Sequence, residues 1–204
     1  MNGLASEILQ LSLEHLTLVL ITVLIAAAVA LPASVALARR PGIRRWALGF
    51  ANLAQTIPSL ALFGFLIPIP FIGGIGRRTA IVALVLYALL PILRNTYVGL
   101  TAIDPAILEA AEAMGMTPTQ ILLRVRLPLA LSIILAGIRT ATVITIGVAT
   151  IAAAIGAGGL GTFIFRGVAM VSDAVILAGA IPAALLAILA DFLLSQLERR
   201  LKVL

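Results

Sequence analysis

The chain has 204 residues, 62% of them hydrophobic and 11% charged, with a formal charge of +6 and a mean hydropathy of +1.22. Soluble domains run at roughly 45–50% apolar and 25% charged, so a water-soluble globule is excluded. The apolar residues fall in blocks of about 20, the length that crosses about 30 Å of hydrocarbon, as in an integral membrane protein. Thirteen of the fourteen basic residues are Arg. They stand in short clusters between apolar blocks and leave no basic, aromatic-studded surface, so nucleic acid is not an expected partner. The chain has no Cys, which excludes a disulfide, a thiolate metal site and a thiol nucleophile.

In chain order, residues 1–14 carry Glu7 and Glu14 and no Lys or Arg. A cleavable signal opens on basic residues, so the first apolar block is expected to remain in the mature protein. That block, 16–38, holds Pro32 as a kink and stops at Arg39, Arg40, Pro41 and Gly42. The second, 46–67, opens on the interfacial aromatic Trp46 and closes before Pro68, Pro70 and a Gly73, Gly74, Gly76 turn. The third, 79–100, carries Pro91 and Arg94 toward its end. The fourth is 129–154, the fifth 174–197, and between them a Gly-rich connection over 156–172 is expected to seat an external helix at about 160–171. Crossings this apolar are helices, because a barrel strand would alternate at every second residue. The expected fold is an all-α polytopic membrane protein, one domain over 1–204, with five transmembrane helices.

Five crossings put the termini on opposite sides, and the basic residues choose the sides. With the N-terminus outside, the inner ends collect Arg39, Arg40, Arg44, Arg45, Arg94, Arg124, Arg126, Arg199, Arg200 and Lys202, against Arg77, Arg78 and Arg166 outside. That bias places the C-terminus and the 101–127 segment in the cytoplasm. The segment reads as two short helices. Asp104-Pro105 is an N-cap followed by proline at the first helical position. Gly115 stands where a helix C-terminus wants a residue tolerant of positive φ, and Thr117 with Gln120 forms a capping box. Glu109 and Glu112 are one turn apart and rim a small-residue surface at Ala110, Ala111 and Ala113, which lets another protein approach closely.

At these residues the sequence resembles a family. Glu109-Ala110-Ala111, Gly115, Val125, Leu127 and Pro128 match the spacing of the EAA motif of binding-protein-dependent ABC importer permeases. The resemblance implies that 101–127 is a coupling segment that docks on an ATPase, with Glu109, Ala110, Ala111, Glu112, Gly115, Leu127 and Pro128 as its coupling residues. The runs 55–62, from Gln55 to Leu62, and 90–97, from Leu90 to Tyr97, are similar to permeases of osmoprotectant uptake. So are the runs 136–141, from Ala136 to Ala141, and 155–161, from Ile155 to Gly161. Such systems carry glycine betaine, carnitine or choline. The Gly158-Gly159-Leu160-Gly161 run is also similar to methionine-type importers, which keeps an amino-acid importer as the alternative. The chain ends seven residues after Leu197, so the receptor is expected to be a separate polypeptide.

The other signals read blandly. Gly156, Gly158 and Gly161 match G-x-G-x-x-G, but no strand precedes them and the expected position is outside the membrane, so the run reads as a hinge or tight bend and not as a nucleotide loop. His15, at the outer edge of the first crossing beside Glu14, is an expected interfacial residue; one His and one Glu are too few for a metal site. The lone Lys202 excludes a P-loop lysine, so ATP hydrolysis by that route is excluded, and the chain is expected to be a non-catalytic subunit with no cofactor of its own. ATP and Mg belong to a partner ATPase. Arg139 lies about 16 Å along a helix from Pro128. It either lines the pathway or gate, or snorkels or pairs with an acid such as Asp191. Gln55, Thr56, Ser59, Asn95, Thr140 and Thr145 are polar where leucine would insert better. Some of them are expected to line the pathway, unless their hydroxyls bond to the preceding helical turn.

The implied assembly holds two permease chains, identical or homologous, around a two-fold axis, two ATPase subunits and an extracytoplasmic substrate-binding protein. It sits in lipid of a bacterial or archaeal cytoplasmic (inner) membrane and works by alternating access. A self-sufficient channel or ion-coupled transporter is the reading from a different class. It calls for an intramembrane acid placed for a coupling ion or for inverted repeats, and the sequence displays neither.

Overall fold

The computed structural model describes residues 2–39 and 41–201, and among them there are helices and no strand. Arg40 and Lys202, two of the basic residues that set the expected orientation, lie outside the described residues. The helices are α1 (Asn2–Arg39), α2 (Pro41–Thr56), α3 (Ser59–Leu66), α4 (Arg77–Thr101), α5 (Pro105–Ala113), α6 (Pro118–Ile121), α7 (Leu127–Ala152), α8 (Gly161–Ala169) and α9 (Asp173–Arg200). Four stretches are long and apolar enough to cross a membrane, and five if a bent pair within α2 and α3 is one span.

The bundle centre is α4, packed between α1 and α7. One cluster joins Leu18 and Val19 of α1, Phe63 of α3, Leu84 and Tyr87 of α4, and Ile146 of α7. Alanines at 26, 30, 88 and 141 let the same three helices approach closely in a second cluster with Ile92. α9 is the least enclosed span, leaving Leu185, Ile188, Leu189, Phe192 and Leu193 exposed.

Three boundaries differ from the sequence expectation, each for a tertiary reason. The first helix begins at Asn2 and not near 16. Its added turns are held by Leu11 against Leu160, Phe163 and Ala183, and by an ion pair of 2.8 Å between Glu7 and Arg166. The expected second crossing is two helices meeting at 104°, broken between Thr56 and Ser59. Pro58 precedes α3 with φ −54° and ψ 137°, and a residue before proline is itself turned away from the helical region. The fourth crossing is not separated from the short helix before it. α6 runs into a π-helical turn, Leu122–Arg126, and then into α7, so that Pro118–Ile155 is one span of 38 residues. In that turn the Leu127 N–H reaches back to the Leu122 carbonyl. Pro128, which has no N–H to offer Arg124, follows directly.

Candidate functional site

The segment 102–128 closes one end of the bundle, and its local geometry follows from its sequence. The Asp104 carboxylate accepts the Ala106 N–H at 2.9 Å, with Pro105 at the first helical position of α5. Gly115, at φ +77°, ends that helix. Its N–H donates to Glu112 O at 2.9 Å and the Met116 N–H to Ala111 O at 3.2 Å, the paired bonds of a Schellman end. Thr117 and Gln120 form the reciprocal capping box, with Thr117 N–H to Gln120 Oε1 at 2.8 Å and Gln120 N–H to Thr117 Oγ1 at 3.3 Å. Three consecutive start and stop signals thus fix the elbow between α5 and α6.

Glu109, Ala110 and Glu112 are exposed, but Ala111 is 2% exposed and faces the chain's own body. The expected small-residue surface is therefore narrower: Ala110 and Ala113 are exposed and Ala111 is not. Met114, 75% exposed, widens the free face instead. Leu127 is half-buried and Pro128 exposed at the start of α7.

Among the described residues, the polar side chains of the crossings bond mainly to backbone carbonyls. Gln55, Thr56 and Ser59 flank the break between α2 and α3. Gln55 Nε2 donates to Tyr87 O at 2.8 Å. That carbonyl is the one that Pro91, lacking an N–H, leaves unpaired one turn later in α4. The Tyr87 hydroxyl in turn donates to Ile57 O, so Tyr87 pins the break from both sides. Sequence reasoning passed over Tyr87, although a proline four residues on marks its carbonyl as free.

Thr56, Thr140 and Thr145 bond to Leu53 O, Ala136 O and Ala141 O, each within its own helix. The Asn95 amide likewise donates to Pro91 O at 2.9 Å. Each of these groups is thus bonded within its own helix, the alternative expected for the threonines. Tyr87→Phe removes the donor from Ile57 O and leaves it unpaired, at about 1–3 kcal/mol. A lower denaturation midpoint in detergent is expected; an unchanged midpoint means the break holds without the hydroxyl.

Arg139 faces α9, about 200° around α7 from Gly137, which faces Asn95 of α4. Its Nε lies 3.3 Å from Asp191 and its Nη1 3.1 Å from Glu198. The pairing with Asp191 is one of the two expectations; the second acid, Glu198, sits two turns further along α9 on the same face and was not foreseen.

His15, expected at the membrane interface, is 0% exposed and enclosed by the protein. Its Nε2 lies 3.1 Å from Ile146 O and must carry the proton to donate there. The glycine run explains the burial. Gly158 and Gly159 have φ of +80° and +76°, and a Cβ on Gly159 would stand 3.0 Å from His15 Nδ1. The Gly159 N–H donates to Glu14 Oε2 at 3.3 Å. The run is a tight bend laid over α1 that seats α8, and no phosphate cradle. Among the described residues no group of three or more His, Asp or Glu could hold a metal ion.

Residues 28–203 match the family model described as the binding-protein-dependent transport system inner membrane component. The chain is 51% identical over 180 residues to the carnitine transport permease protein OpuCD of Listeria monocytogenes, covering 88% of this chain and 79% of that one. It is 47% identical to the glycine betaine/carnitine/choline transport system permease protein OpuCD of Bacillus subtilis, over 95% of this chain and 84% of the relative. With the choline transport system permease protein OpuBB of Bacillus subtilis the identity is 44%, over 98% and 90%. In structure it is similar to a chain of the MetNI methionine ABC transporter in an inward-facing conformation, with a TM-score of 0.88, 26% identity and coverage of 98% and 99%. The match from Ala28 through nearly the whole helical bundle makes this chain a member of the binding-protein-dependent transport system inner membrane component family.

Proposed function

We propose that the chain is the permease subunit of an ATP-driven importer of quaternary ammonium osmoprotectants such as glycine betaine, carnitine or choline. The observation that carries the solute class is the identity of 44–51% to permeases of carnitine, choline and glycine betaine transport. The likeness to the methionine transporter, at 26% identity, favours the shared fold more than a shared solute. Two ATPase subunits dock on the 102–128 segment, a second permease chain completes the pathway, and an extracytoplasmic binding protein delivers the solute. Glu109, Ala110, Glu112, Gly115 and Met114 form the docking face, while Ala111, Leu127 and Pro128 fix its seat. The N-terminus and α8 lie outside and the C-terminus inside. ATP and Mg act on the partner; this chain contributes no catalytic group.

Supporting the coupling role, α6, the π turn and α7 form one span, so a push on the segment reaches the bundle core. The pathway reading of Gln55, Thr56 and Ser59 rests on the break that they flank, since discontinuous helices are where transporters place their solute sites.

The test is uptake by proteoliposomes holding permease, ATPase and binding protein, with betaine, carnitine, choline and methionine competing. Import of the quaternary ammonium solutes is expected, and import of methionine alone would overturn the solute class. Single cysteines at Gly74 and Thr117, exposed to an impermeant thiol reagent in intact cells, test the orientation. Labelling at 74 and none at 117 is expected, and the reverse inverts the topology.

A further inference from the structure

The joint between the 102–128 segment and the bundle is hollow. A cavity of about 300 Å³ separates them, at the lower end of small-molecule sites, which run about 300–1,000 Å³. One wall is the bundle: Val35 and Ala38 on the last turns of α1 and Leu100 on the last turn of α4. The facing wall is the segment: Glu112 of α5, Ile121 of α6 and Arg126 of the π turn. Glu112 and Arg126 bring opposite charges to this one space and form no ion pair with each other. Arg126 is positioned by a bond of 3.0 Å from its Nη1 to Leu100 O, a carbonyl at the end of α4. That bond takes one of its five N–H donors.

We propose that this cavity binds a compact zwitterion, with the anionic end on the Arg126 guanidinium, the cationic end at the Glu112 carboxylate and the carbon body against Val35, Leu100 and Ile121. A single anion would meet Glu112 and a single cation would meet Arg126, so each is disfavoured by one wall residue; a molecule carrying both charges satisfies both. Two sources offer that chemistry at the inner membrane edge, a free betaine-type solute and the headgroup of phosphatidylethanolamine. The sidedness and the solute rest on the proposed function. Because the two walls belong to parts that must move against each other when the ATPase acts, a molecule bridging them binds one arrangement better and holds the joint there. Solute accumulated inside therefore slows its own import.

The experiment uses the assembled permease, ATPase and binding protein in anionic proteoliposomes of phosphatidylglycerol and cardiolipin. These are loaded with glycine betaine or with an equal osmolarity of sucrose. Initial uptake of labelled solute is read with and without phosphatidylethanolamine in the membrane. Val35→Phe and, as a second variant, Ala38→Leu fill the cavity from the bundle side while leaving every residue of the docking face unsubstituted. The expected result is a several-fold slowing of the natural protein by internal betaine and little or none in the filled variants. Slowing only by phosphatidylethanolamine, again lost in the variants, names the lipid headgroup as the occupant. Equal slowing of natural and filled proteins, or no effect of either zwitterion on the natural protein, overturns the proposal.

Binding is also read without transport, by saturation-transfer NMR of the trimethylammonium protons on the permease–ATPase complex lacking the binding protein. The natural complex is expected to give a signal that Val35→Phe removes. A signal of equal strength in both overturns the site. Absence of osmoprotectant uptake in unloaded vesicles, by contrast, counts against the proposed function and leaves this binding readout standing.

Discussion

Gly115→Val is expected to separate permease abundance from ATPase association, leaving the first unchanged and removing the second. At φ +77° with nothing within 4 Å of a built Cβ, the cost is one of backbone conformation alone. A residue with a β-carbon loses about 1 kcal/mol or more there, and a β-branched one loses more. A membrane bundle survives that loss. The elbow does not keep its geometry, because Gly115 N–H and Met116 N–H hold Glu112 O and Ala111 O only in this conformation. Val171 shows what a tolerated case looks like: it occupies the same place after α8 at φ +50°, with Ser172 N–H to Gly167 O at 2.9 Å. The measurement is co-purification of the ATPase, with uptake, normalised to permease in the membrane; a fall of roughly tenfold corresponds to about 1.4 kcal/mol of lost docking. Unchanged co-purification and uptake would make 102–128 a passive loop.

Arg139→Leu is expected to lower the amount of folded permease several-fold, through α9. The substitution removes the cation shared by Asp191 and Glu198, and because these side chains are partly exposed the loss is about 1 kcal/mol. Neutralising the whole set should cost less, since neither acid is then left unpaired. The triple variant Arg139→Leu, Asp191→Asn, Glu198→Gln is therefore expected to recover membrane levels. Recovery of level without recovery of uptake would make the set part of a gate. Full level and full uptake of the single variant would show that the ion pairs contribute nothing.

The parts that were legible in the sequence are those decided within a few residues. Asp104-Pro105, Gly115 and the Thr117 to Gln120 box each carry their own partners, so spacing alone sufficed. Helical class and the apolar blocks followed from hydropathy. What was not legible depends on residues far apart. His15 reads as interfacial until Gly159 is placed on it, 144 residues along. The break at Ile57–Pro58 sits inside an apolar run that hydropathy cannot divide, and its pin is Tyr87. Arg139 left two readings open because its partners lie on another helix.

The union of α6, the π turn and α7 has a mechanical consequence. From Arg124 to Ile155 is 31 residues, about 46 Å of nearly rigid rod. A tilt of about 5° at the π turn displaces the far end by about 4 Å, comparable with the pitch of a helix. That far end is the one over which Gly156 and the glycine bend carry α8. A small tilt at the bulge would thus reach the end that bears α8 as a shift of about 4 Å, with the bulge as fulcrum and the α4 packing as bearing.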